Sequence, residues 1–66
     1  MNTREYGQGI IKGARVEISP HFDLWMQGAR FGTVRKVVDG VVTVKMDHPQ
    51  VRRLQRFPLD GVRCAS

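Results

Sequence analysis

Eleven cationic side chains stand against six acidic ones in 66 residues, a net charge of +5, and eight of the eleven are arginine. Arginine presents a planar fork that takes phosphate or carboxylate oxygens in pairs, whereas lysine acts as a point charge, so this excess points to recognition of an anion. The residues expected to make such contacts are Arg30, Arg35, Lys36, Lys45, Arg52, Arg53 and Arg56, with Arg63 of the last strand in the same candidate surface. Trp25, close to Phe22, offers a ring on which an unpaired base would stack, worth about 1–3 kcal/mol. The same ring would also serve as a plug for a small core, and the residue types leave both roles open.

Other reactive side chains point to no chemistry. His21, His48, Asp23 and Asp47 provide no pair at zinc-ligand spacing, and a single cysteine is too few for a structural metal site. There is no nucleophile motif, no pair of carboxylates and no phosphate loop, and Gly7-Gln8-Gly9 is too short for a nucleotide fingerprint. The expectation is a non-catalytic protein with no metal and no cofactor. Cys64 has no partner for an intrachain disulfide, which suits a reducing compartment. No apolar run approaches the ~18 residues of a membrane span, so a cytoplasmic location is expected.

The candidate residues need elements to position them, and the pattern supplies strands. Residues 1–13, with three glycines and little periodicity, read as a flexible lead-in, with Ile10 and Ile11 able to dock, and residues 14–66 as the folded domain. Ala14, Val16 and Ile18 alternate with Arg15, Glu17 and Ser19 as in a half-buried first strand. Pro20 ends it, and residues 20–29 form an irregular loop, bracketed by Pro20 and Gly28 too tightly for more than one helical turn. A second strand runs from about Arg30 to Val38. Asp39-Gly40 then predicts a type I′ hairpin, because both residues tolerate the positive φ that turn needs.

In the third strand Val42, Val44 and Met46 face one side and Val41, Thr43 and Lys45 the other. Asp47-His48-Pro49-Gln50 makes a turn. A fourth strand is expected over Val51 to Phe57, where the three-residue spacing of Val51, Leu54 and Phe57 calls for a bulge near Arg52-Arg53, with a helical turn as the alternative. Pro58 to Gly61 reads as a 3-10 connection into a last strand, Val62 to Cys64. Phe31 and Phe57 are assigned to the core. The expected fold class is all-β, a five-stranded barrel with a short 3-10 turn before the last strand and no helix.

Gly13 to Ile18, Gly28 to Val38, Val42 to Met46 and Leu59 to Val62 carry a resemblance to SH3-like small barrels of the KOW type, and the Trp25 loop resembles that of small bacterial and phage barrel proteins. That likeness implies a binding module whose partner is DNA, RNA or an acidic protein such as a polymerase or ribosomal component. A second likeness joins Gly13 to Val16, Trp25 to Gly28, His48-Pro49 and Gln55 to Leu59 to the type II dihydrofolate reductases, which assemble as homo-tetramers around a pore binding folate and NADPH. Of their pore signature only Gln55 is kept; Arg56 replaces an isoleucine and Phe57 a tyrosine, and four arginines in one pore would repel. Nucleic acid, held mainly by its phosphates, is therefore the leading expectation, an acidic protein the alternative, and the reductase tetramer the minor one.

Overall fold

The computed structural model describes residues 6–65. Five antiparallel strands form one sheet: β1 (Arg15–Ile18), β2 (Phe31–Val38), β3 (Val41–Met46), β4 (Gln55–Pro58) and β5 (Val62–Cys64). They lie in the order β4-β3-β2-β1-β5. A 3-10 turn, Leu59–Gly61, links the two edge strands.

That short link shapes the whole sheet. Pro58 and Val62 are four residues apart, and Cα atoms ~3.8 Å apart span at most ~15 Å over four steps. Four interstrand spacings of about 4.8 Å would separate the same edges by ~19 Å in a flat sheet. The sheet therefore curls until β4 and β5 approach at the 3-10 turn, although no ladder joins them.

Curling wraps one face around the core. Val16, Ile18, Val34, Val42, Val44 and Val62 are almost entirely buried there, joined by Ile10, Ala29, Met46, Val51 and Phe57. The alternation expected of β1 and β3 is observed, since every second residue from Val16 and from Val42 points inward. Val38 and Val41 flank Asp39 (φ 52°) and Gly40 (φ 75°), the two-residue turn that the Asp-Gly pair predicts. The described part of the lead-in packs on the sheet: Ile10 is buried while Ile11 stays exposed, Gly7 N donates to Val62 O, and Gly13 N donates to Val34 O. Residues 1–5 lie outside the described residues.

Structure and sequence differ at three places. The loop after β1, read as irregular, contains one helical turn, Asp23–Met26, the most that its bracketing by Pro20 and Gly28 allows. Backbone bonds from Gly28 N to Trp25 O and from Ala29 N to Leu24 O close it as a Schellman motif, which is why it stops after one turn. β4 begins at Gln55, not Val51, so no bulge occurs at Arg52-Arg53. Val51 N instead donates to His48 O in a turn, and Val51 reaches the core from the loop while Leu54 is half exposed.

The third difference concerns Phe31, which is 42% exposed and not in the core. Gly32 is the inward residue, opposite Met46, so Phe31 faces out opposite Glu17. Space dictates the choice: a Cβ at Gly32 would lie 2.5 Å from Val44 Cγ1 and 2.6 Å from Lys45 O.

Candidate nucleic-acid interface

The outward face of the sheet is built by register. Thr43 on β3, the strand between β2 and β4, stands directly between Lys36 on β2 and Arg56 on β4. One step toward the hairpin turn, Val41 stands between Val38 and Pro58; one step the other way, Lys45 stands beside Thr33. Residues directly opposite in a sheet have Cβ atoms about 4.5–5.5 Å apart, so each triplet forms a continuous row across three strands.

Lys36 reaches this face only because β2 contains a bulge. The register shifts between Val34 and Lys36, leaving Arg35 without a cross-strand partner. Strict alternation would have turned Lys36 toward the core, where an unpaired ammonium is costly. With one extra residue, Arg35 and Lys36 are both exposed, Val34 stays buried, and Val37 pairs with Val42 at the solvent-exposed end of the strand.

Between these rows lies a shallow groove of about 560 Å³. Its floor and walls are Thr43, Val38, Val41 and Leu54, with the cations Lys36 and Arg56 on either flank and Asp39 at the turn end. Thr43, at the bottom of the groove, is only 8% exposed although it points away from the core. Lys45 is held to one side by donating from Nζ to Arg52 O at 3.2 Å, which ties β3 to the loop before β4.

The seven candidate cations thus divide. Lys36, Lys45 and Arg56 share the outward face; Arg35 projects from the bulge; Arg52 and Arg53 are exposed on the loop over residues 47–54. Arg30 belongs elsewhere: its guanidinium lies 3.9 Å from the centre of the Trp25 ring, and Nε is 3.4 Å from Trp25 O. Trp25 itself is half-buried and packs against the core, with its indole N–H enclosed and without a partner. A base stacking there would meet the Arg30 plane before the indole, which is itself a surface on which bases stack.

None of these seven cations has an acidic partner among the described residues, whereas two cations outside the set do. Arg15 pairs with Asp47, and Arg63 donates from Nε (3.0 Å) and Nη2 (2.8 Å) to Glu17 Oε1. The hydrogen bond and charge of Glu17 hold the Arg63 guanidinium above its ordinary pKa, with the coulombic influence of the Tyr6 hydroxyl adding to the effect. Arg63 is thereby committed to β1 and is withdrawn from the anion surface proposed for it by sequence position.

Two other polar side chains have structural roles. His48 Nδ1 accepts from Gln50 N in the turn before Val51, and the Cys64 thiol lies against Gly9 O at 3.3 Å. No group of three or more metal-ligating side chains occurs among the described residues. On β4, Arg56 faces outward while Phe57 turns inward against Phe22, ring centres 4.9 Å apart. No helix among the described residues is long and apolar enough to cross a membrane. No protein-family model, no curated protein and no solved structure matches the chain.

The signals for the groove were only partly visible in the sequence. Val38, Val41 and Leu54 read there as ordinary strand residues, and Thr43 as one polar position among several. The adjacent pair Arg35-Lys36 was the one hint of a bulge, since two consecutive long cations fit no buried-face alternation.

Proposed function

We propose that this chain is a small non-catalytic binding module of the SH3-like type that holds nucleic acid, mainly by its phosphate backbone, on the outward face of β2, β3 and β4. The observation that carries this reading is charge without internal partners. Among the described residues, acidic side chains engage Arg15 and Arg63, yet leave Lys36, Lys45 and Arg56 without an acidic partner on one face, flanked by Arg35, Arg52 and Arg53. Unpaired cations on a rigid sheet attract a polyanion and release its counterions on contact, which gives affinity that falls steeply with salt. Arginine predominates in the set, as suits forked contacts to phosphate oxygens.

Fluorescence anisotropy of labelled mixed-sequence oligonucleotides, single- and double-stranded, at low and physiological salt tests this. Micromolar or tighter binding that weakens with salt, and that is lost when Arg52, Arg53 and Arg56 are changed together to Gln, supports it. No binding at low salt refutes it and makes an acidic protein the leading partner.

A further inference from the structure

The groove on the outward face is graded along the strands, and that gradient is more than a basic patch requires. At one end stands the row Lys36, Thr43, Arg56; about 7 Å further along β3, two residues at ~3.4 Å each, stands the apolar row Val38, Val41; beyond it Asp39 closes the groove. The order is cation and hydroxyl, then apolar shelf, then carboxylate.

We infer that this groove is a subsite for one nucleotide of a single strand, with its phosphate between Lys36 and Arg56 over Thr43 and its base on Val38 and Val41. The inference rests on the nucleic-acid reading above. Lys36 and Arg56 approach an anion from both sides, and the Thr43 hydroxyl between them adds a donor from the floor. The phosphate binds at this end because the Asp39 carboxylate at the other repels it.

The base binds at the opposite end for complementary reasons. Val38 and Val41 are 50% and 41% exposed, an apolar surface left open to water that the flat face of a base would cover. Asp39 then meets the rim of that base, and a carboxylate only accepts hydrogen bonds, so it selects bases bearing an amino group, as acidic side chains select cytosine N4. A base paired in a duplex cannot lie down on the shelf. The groove volume of about 560 Å³ falls within the ~300–1,000 Å³ of small-ligand sites.

The test is a titration of labelled oligo-dC, oligo-dT and a mixed duplex at physiological salt, with the full chain and with Thr43→Val, Arg56→Gln, Asp39→Asn and a double Arg52→Gln, Arg53→Gln variant. Thr43→Val keeps strand propensity and should leave the melting temperature unchanged while weakening oligo-dC about two- to tenfold, one ordinary hydrogen bond. Arg56→Gln should weaken it about tenfold or more, a charged one. Asp39→Asn, which keeps the turn, should erase the preference of oligo-dC over oligo-dT.

Duplex binding as tight as oligo-dC, or wild-type affinity in both Thr43→Val and Arg56→Gln, overturns the subsite. If the double arginine variant alone abolishes binding, the nucleic-acid reading stands and the subsite falls. If no oligonucleotide binds even at low salt, the nucleic-acid reading falls first. Inorganic phosphate that displaces oligo-dC as well as cytidine monophosphate does, mole for mole, overturns the base shelf.

Discussion

Replacing Gly32 by Ala adds one methyl group, and the sheet has nowhere to put it. The new Cβ would lie 2.5 Å from Val44 Cγ1, 2.6 Å from Lys45 O and 3.1 Å from Met46 Cα. Rotating Val44 off its preferred rotamer relieves the first contact at about 0.5–1.5 kcal/mol. The other two are backbone of β3, so β2 must move away from it, an overpacking cost of about 1–3 kcal/mol. Together they amount to about 3 kcal/mol, against a total stability of about 3–10 kcal/mol for a domain of this length. Urea or thermal denaturation reads the result: a melting temperature lowered by about 12–24 °C, at ~4–8 °C per kcal/mol. A Gly32→Ala protein within about 1 kcal/mol of wild type would refute the close approach of β2 to β3 and, with it, the reason Phe31 faces out.

Arg56→Gln should flatten the salt dependence of single-strand binding by about 0.7 in the log–log slope, measured by anisotropy from 50 to 200 mM salt, if one phosphate contact is lost. Arg30→Ala uncovers one face of Trp25; its emission should shift to the red and stability fall by about 0.5–1 kcal/mol. Gly40→Ala places a side chain at φ 75°, with open space around it, so only the backbone objects and the expected loss in denaturation is about 1–2 kcal/mol. Glu17→Gln frees Arg63 and should lower the melting temperature at low salt, with the difference shrinking in 1 M salt. Because Glu17 raises the Arg63 pKa above an already high value, that cation's contribution is fully present below its ordinary pKa, and raising the pH through neutrality does not remove it.

Much of the fold was legible along the chain, for reasons that are local. Asp39-Gly40 specifies its turn whatever surrounds it, because few residue pairs accept positive φ twice. Val16 and Ile18, or Val42, Val44 and Met46, expose their inward face by alternation alone. The stretch from Val51 to Phe57 was misread because spacing cannot tell a bulged strand from a loop that drops one side chain into the core. Val51 does the latter, and the turn bond from Val51 N to His48 O takes the donor that a longer β4 would have used.

The candidate site divides in the same way. Composition by itself determined that the chain is basic and rich in arginine, since these depend only on which residues are present. Which cations remain free could be settled only in three dimensions: Glu17 reaches across to Arg63, 46 residues away, and Asp47 to Arg15, while Lys36, Lys45 and Arg56 find no carboxylate among the described residues. The bulge at Arg35 is likewise a tertiary outcome. It leaves Val34 buried opposite Val44, and by changing the parity of β2 it sets Lys36 across from Thr43, in line with Arg56. Long-range register, which no single segment encodes, turned scattered charges into one graded groove.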